Sequence, residues 1–212
     1  MKLYGFFRSG TSHRLRIALN HKGLTYQQTA VDLRKEEHLG GAYRAINPQG
    51  MVPALEVERE VMVQSPAIIE WLEERYPHPA LLPSHPRERA TVRAMAAVVG
   101  CDIHPINNRR ILEALRHRFD ATEDVVNDWC AAWIGAGFDA FEAMVNAHGV
   151  KGPFAFGTNV TVADVYLVPQ IESARRFKVD LGRWPRLQEI DEACGRLDAF
   201  KRAAPAAQPD AG

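Results

Sequence analysis

A proline-rich stretch between Pro77 and Pro86 separates two parts of this chain that have different hydrophobic rhythms. In His78-Pro79-Ala80-Leu81-Leu82-Pro83-Ser84-His85 the prolines fix φ and remove backbone donors, so no regular element can run through. Ahead of it, short strand-like apolar runs alternate with segments of helical spacing. Behind it, Val92, Met95, Ala96, Val99, Ile103 and Ile106 recur at helical intervals, and convincing strand alternation is lost. The expectation is two domains, residues 1–79 and an all-helical 86–212, joined by a linker at 80–85. A length of 212 residues suffices for two modest cores.

Within the first part, residues 2–7 are apolar and aromatic and run into Arg8-Ser9-Gly10-Thr11-Ser12, a cluster of turn and capping types. Leu15, Ile17, Ala18 and Leu19 then give a helix face from Ser12 to Lys22, with Gly23 placed to end it. Tyr26 to Leu33 reads as a second strand, and Lys35 to Ile46 as a looser helix before Asn47-Pro48-Gln49-Gly50. Ala54–Val57 and Val61–Val63 form a tight antiparallel hairpin. Ser65 opens a helix that stops before Pro77. The order is β-α-β-α-β-β-α, thioredoxin-like, so the fold class is α/β followed by all-α.

In the second part, Val162 to Ile171 is apolar nearly all round and marks a helix at the centre of that domain. Thr161-Val162-Ala163-Asp164 ahead of it fits a capping box, a folding role. The Ala- and Pro-rich end from Ala203 reads as a loosely ordered tail.

Twenty-six basic and 26 acidic side chains give a formal net charge of zero, which favours neither nucleic acid nor an anionic membrane as partner. The sequence shows no apolar stretch approaching a membrane span and no leader-like start, so a cytoplasmic location is expected. Cys101, Cys130 and Cys194 are widely spaced and fit neither a disulfide framework nor a zinc site. The histidines lack ligand spacing, and no metal is expected.

The most informative chemistry lies at Ser9, Gly10, Thr11 and Ser12, where a strand turns into a helix. Hydroxyls and backbone N–H groups there face the electropositive end of the helix and favour an anion. Plain capping is the competing explanation. A thiolate is one anion such a place can hold. A free thiol titrates near ~8.5, and lowering that by about one unit takes about 1.4 kcal/mol of preferential stabilisation. One charge-assisted hydroxyl hydrogen bond and a helix end can supply it.

Phe7-Arg8-Ser9-Gly10-Thr11-Ser12-His13-Arg14-Leu15-Arg16-Ile17-Ala18-Leu19 resembles the signature of the zeta-class glutathione transferases, in which Ser-Ser-Cys precedes an aromatic residue and Arg-Val-Arg-Ile-Ala-Leu. The resemblance continues through Asn47-Pro48, Val52-Pro53, Gln64-Ser65-Pro66-Ala67, Leu81-Leu82-Pro83, Val160 to Asp164, Leu167 to Gln170 and Arg176 to Asp180, nearly the whole chain. Gly10 replaces the second serine, Thr11 the cysteine and His13 the usual tryptophan. The resemblance implies the glutathione-transferase fold, a homodimer, and reduced glutathione bound and regenerated in each turnover. The implied glutathione site has Ser9, Gly10 and Thr11 at the sulfur, with either hydroxyl able to face it. Val52 pairs its backbone with the tripeptide beside a cis Pro53, and Gln64 and Ser65 hold the γ-glutamyl end. His38 and Gln49 are candidates for the glycyl end. His104 and Asn108, four residues apart on one helix, are candidates for a further contact or for structural hydrogen bonds.

The class includes cis–trans isomerases of maleyl diacids, and the arginines suit that chemistry because a guanidinium grips a carboxylate through a fixed fork of donors. Arg176, towards the C-terminal end of the central helix, is expected to meet an enolate and a substrate carboxylate, leaving Arg175 to solvent. Arg8, next to Ser9, is paired with Arg110 at the far end of the substrate; Arg109 and Arg110 share a long helix that Pro105 can kink. The implied reaction is isomerisation of maleylpyruvate to fumarylpyruvate in aromatic catabolism, with maleylacetoacetate as the alternative substrate. A glutathione-conjugating transferase is the alternative enzyme, and a non-catalytic interaction domain of the same fold the alternative outside catalysis.

Overall fold

Strand β1, Lys2–Gly5, is the second strand of a four-stranded sheet and carries the fully buried Leu3. It pairs in parallel with β2, Gln27–Ala30, and antiparallel with β3, Ala54–Val57, which turns back as β4, Glu60–Val63. The sheet order is β2-β1-β3-β4. The computed structural model describes residues 1–211, whose contacts divide them into two compact units: Met1–Ala80 with the chain from Gly195 onward, and Leu81–Cys194.

In the first unit the parallel β1–β2 connection is helix α1, Gly10–His21. Every residue from Ser12 to Asn20 is buried, so α1 is packed on all sides, with α3, Ser65–Arg75, and α9, Asp198–Ala203, against it. Burying Leu15, Ile17 and Leu19 contributes about 1.5–3 kcal/mol each. Lys22 caps the helix and Gly23 follows at φ +66°, a left-handed conformation that glycine adopts without a Cβ clash.

Two local expectations need correction. The second strand is shorter than Tyr26–Leu33, because the Asp32 side chain accepts from Arg34 N and starts a 3-10 turn at Leu33–Lys35. The looser helix over Lys35–Ile46 is a 3-10 turn at Glu37–Leu39 and one α-turn, α2, Gly41–Arg44, since Gly40 and Gly41 interrupt helix propagation.

A larger correction concerns the C-terminus. Residues from Gly195 onward group with the first unit, not with the helical domain expected over 86–212, and the stretch expected as a loose tail from Ala203 is tied down by hydrogen bonds. Arg16 donates from Nε to Ala203 O at 2.9 Å, and Asn20 Nδ2 to Ala199 O at 3.1 Å. Gln208, buried, donates to the carbonyls of Arg202 and Ala204, both at 2.8 Å. The last residues thus return to α1.

The second unit is built from α4, Pro86–Ala97, α5, Arg109–Phe119, the long α6, Glu123–Ala147, α7, Val162–Arg176, and α8, Pro185–Gly195. The helical spacing from Val92 to Ile106 does not describe one helix: α4 passes into a π-turn at Val98–Ile103 and a 3-10 turn at His104–Ile106, where Pro105 cannot donate. The centre of this unit is α7, in which Asp164 is fully buried. One carboxylate oxygen accepts from Thr161 N at 2.7 Å and Thr161 Oγ1 at 2.9 Å, the other from Ala155 N at 2.7 Å. Among the described residues no helix is long and apolar enough to cross a membrane, and no group of His, Cys, Asp or Glu could hold a metal ion.

Candidate functional site

The strand register gathers three segments at one end of the sheet. β1 ends at Gly5, β3 begins at Ala54, opposite Tyr4, and β4 ends at Val63, opposite Ala54. Residues 6–12, 52–53 and 64–65 therefore leave the sheet side by side. Val52–Pro53 is a cis peptide, as the resemblance implies; His78–Pro79 is a second, which sequence reasoning did not anticipate.

Ser9 is the N-cap of α1, in extended backbone, and its Oγ accepts from Ser12 N at 3.3 Å. The Ser9 and Thr11 hydroxyls lie 2.9 Å apart, and Thr11 Oγ1 donates to Val52 O at 2.9 Å. A threonine hydroxyl has one proton, and that bond uses it. Ser9 is consequently the donor in the Ser9–Thr11 pair, and its proton is the one that can be redirected to an incoming anion. Gly10 occupies the first helical position between them.

Ser65, buried, opens α3 and its Oγ accepts from Arg14 Nη1 at 3.2 Å. Before it stands Gln64 at φ 67°, ψ 106°, a conformation sparsely populated outside glycine. Its side chain does not cap α3; Gln64 Nε2 donates to Gln49 Oε1 at 2.5 Å. Gln49 is set by the turn that Asn47 organises: Asn47 Oδ1 accepts from Gln49 N at 3.1 Å, and Asn47 Nδ2 donates to Met51 O at 2.7 Å. Gly50, at φ +64°, lies so close to His38 O that a Cβ there would stand 2.9 Å from it. Thus Ser9, Gly10, Thr11, Gln49, Val52, Pro53, Gln64 and Ser65 come together, with the half-buried His38 backbone against the same turn. Arg8 is exposed, its guanidinium 6.0 Å from the Phe7 ring centroid.

The remaining candidates belong to the second unit. His104 and Asn108 do not share a helix: His104 lies in the 3-10 turn, and Asn108 is the N-cap residue of α5, with Oδ1 buried and unbonded among the described residues. Arg110 is exposed in the first turn of α5, and the neighbouring Arg109 stands 3.9 Å from Glu113. Arg176 ends α7, donates to Ser173 Oγ at 3.1 Å and lies 5.0 Å from the Phe177 ring centroid. The expected contrast with Arg175 in exposure is absent, since both are exposed; Arg175 is paired with Asp191 at 2.5 Å.

Residues 8–75 match the family model described as the glutathione S-transferase N-terminal domain. A maleylpyruvate isomerase from a Ralstonia species is 63% identical over 210 residues, 99% of either chain. The holo structure of a maleylpyruvate isomerase, described as a bacterial glutathione S-transferase of the zeta class, superposes over 100% of both chains at 63% identity with a TM-score of 0.99. The chain belongs to the zeta-class glutathione transferases. Another structure, a maleylacetoacetate isomerase from Anaeromyxobacter dehalogenans with bound dicarboxyethyl glutathione and citrate, is 41% identical, covering 100% of this chain and 93% of that one, with a TM-score of 0.89.

In this zeta-class chain, three α1 residues near the site escaped sequence reasoning as site-shaping groups. Arg14 and Arg16 are buried, and burial pushes Arg16 down to about 10. His13 is buried too, with Nε2 unbonded among the described residues; desolvation, then the nearby Arg16, push its pKa down to about 3. The available signal was the departure from tryptophan at position 13 and two arginines amid an otherwise apolar run.

Proposed function

We propose that the protein isomerises maleylpyruvate to fumarylpyruvate, a cis–trans conversion in aromatic catabolism that requires reduced glutathione. The identity of 63% over the whole chain with the Ralstonia maleylpyruvate isomerase supports the substrate. The observation that carries the chemistry is the commitment of the Thr11 proton to Val52 O, which leaves the Ser9 hydroxyl as donor to an anion at the start of α1.

The donor set suits glutathione. A helix start with two hydroxyls fits an ionised sulfur, and a second helix start, with Ser65 backed by the Arg14 guanidinium, fits a carboxylate. When bound, glutathione supplies a thiolate that adds reversibly to the cis double bond and is returned after each turnover. Ser9 donates to that sulfur, and Thr11 ties Val52 to the helix. Gln64 and Ser65 hold the γ-glutamyl end, His38 and Gln49 the glycyl end, with His104 and Asn108 as further contacts. Arg8 and Arg110 bind the far carboxylate of the substrate. Arg176 takes the negative charge that develops on the reacting end, a type of contact worth about 3 kcal/mol in a catalytic site. The relative's ligand, dicarboxyethyl glutathione, has carboxylates of the kind these arginines would grip. We further infer a cytoplasmic homodimer that needs no metal.

The test is an assay of fumarylpyruvate formation with glutathione below the substrate concentration. Turnover well beyond the glutathione supplied is expected; one-for-one loss of glutathione would make the protein a conjugating transferase instead. The maleylacetoacetate isomerase likeness makes maleylacetoacetate the second reading. A larger kcat/KM for that substrate would reassign it.

A further inference from the structure

The segment that carries Arg8 and Ser9 is suspended between β1, which ends at Gly5, and α1, which begins at Gly10. The backbone of Phe6 and Phe7, at the head of that segment, is held from all sides. Phe6 N donates to Ser12 Oγ at 3.3 Å, and Phe6 O accepts from Ser9 N at 3.1 Å and Arg16 Nη1 at 3.4 Å. Phe7 O accepts from Arg16 Nη2 at 2.8 Å. Phe7 N donates to a carboxylate 203 residues away: Asp210 Oδ2, at 2.9 Å.

We propose that Arg16 and Asp210 are positioning residues for the isomerisation, clamping the Phe6–Phe7 backbone so that Arg8 and Ser9 project correctly. The proposal rests on the roles given to those two residues above. The C-terminal segment acts here as a strap with two attachments. Arg16 bonds Ala203 O with one nitrogen and the Phe6 and Phe7 carbonyls with the other two, so the strap and the loop share one guanidinium. Seven residues later, Asp210 closes the strap with one oxygen on Phe7 N and the other on Gln28 Nε2 of β2 at 3.1 Å. Between them, the Gln208 amide fixes the strap's own path through the carbonyls of Arg202 and Ala204.

A strap needed only for stability could attach anywhere on the first unit. This one, through Asp210, satisfies the amide of the residue directly before Arg8, whose carbonyl is taken by the same Arg16 that holds Ala203 O, and water or local turns would otherwise be left to satisfy both groups. Both groups sit within two residues of the proposed thiolate donor. Misplacement of reacting groups by about 1 Å can cost about a hundredfold in rate. The strap therefore acts on chemistry through backbone placement, without touching substrate.

The test uses full-length protein and the Asp210 position, because Arg16, fully buried, is exposed to the objection that its loss unfolds the chain. Asp210→Ala should speed hydrogen exchange at the Phe7 to Ser9 amides about tenfold in glutathione-free protein, and lower kcat for the isomerisation about tenfold. Asp210→Asn, which keeps an acceptor oxygen for Phe7 N, should restore most of both. Gln28→Ala, which cuts only the strap's bond to β2, should leave both near wild type. Unchanged exchange and kcat in Asp210→Ala would overturn the proposal, as would Gln28→Ala reproducing the kinetic loss. If the wild type itself turns over neither maleyl substrate, the functional reading fails, a result separable from failure of the clamp, which the exchange rates report without glutathione.

Discussion

The two ends of α1 both carry polar side chains that hydrogen-bond to other segments, and they commit their protons in opposite ways. At the C-terminal end, Lys22 is buried and its Nζ reaches Glu73 Oε2 at 2.7 Å, Tyr76 O at 2.6 Å and Pro79 O at 3.1 Å. All three ammonium donors have acceptors, and each is fixed. At the N-terminal end, Ser9 and Thr11 share a short hydroxyl chain that ends on Val52 O. There one proton is fixed and the other can rotate. The difference teaches where binding capacity resides: a saturated end serves only folding, while an end that keeps one adjustable donor can receive an anion.

The largest effect should come from unlocking the saturated end. Lys22→Met leaves Glu73, 8% exposed, without its ammonium partner, and removal of one member of a buried pair typically costs about 3–5 kcal/mol. Chemical denaturation should show that loss, while kcat per folded molecule stays within about twofold of wild type, because the group is committed to folding. A collapse of kcat in folded Lys22→Met would break the contrast between the ends.

Ser9→Ala probes the adjustable end and should do the reverse. Loss of one donor aimed at an anion in a catalytic site costs about 10²–10³ in kcat, whereas loss of the N-cap bond costs about 1 kcal/mol of stability. Steady-state kinetics beside thermal unfolding separates the two. Near-normal kcat with the expected small stability loss would reduce Ser9 to a cap.

How much of this was readable beforehand differs along the same helix. The adjustable end was legible because turn and hydroxyl residues at a strand-to-helix junction have a local meaning, and the family signature added the rest. The arginines inside α1 were not. Charged residues on a helix normally mark its solvent face, but α1 has no such face, and the acceptors of Arg16 lie on Phe6, Phe7 and Ala203. A residue's partner 187 positions away leaves no periodic trace. The same holds for the tail, whose Ala/Pro-rich composition gives no hint of Asp210 reaching Phe7. At His104 and Asn108 the spacing was right for one helix, but Pro105 ended it, so four residues no longer meant one face. The positive φ of Gln64, between β4 and α3, is a local backbone conformation that composition does not encode.

Between the two ends, His13 offers a smaller effect with a defined sign. In the folded chain it stays neutral down to about pH 3, whereas an unfolded histidine binds a proton near 6.5. The unfolded state therefore holds more protons across that window, so stability falls as pH drops from 6.5 towards 3. At about pH 5 the contribution amounts to about 2 kcal/mol. Burial of His21 also depresses its pKa, adding in the same direction. His13→Leu should flatten the pH dependence measured by denaturation between about pH 4.5 and 6.5. An unchanged slope would mean that His13 is not kept neutral by the interior.

The finest test of the comparison is Thr11, because it links the fixed proton to the adjustable one. Thr11→Val removes the donor to Val52 O and also the acceptor on which the Ser9 proton rests. The first loss frees the Val52 backbone and should weaken glutathione binding about tenfold, the size of one ordinary hydrogen bond. The second releases the Ser9 hydroxyl earlier and should leave kcat almost unchanged. Thr11→Ser retains the hydroxyl and should behave as wild type in both. A fall in kcat matching Ser9→Ala, with glutathione affinity intact, would transfer the adjustable proton to Thr11 and reverse which of the two hydroxyls is fixed.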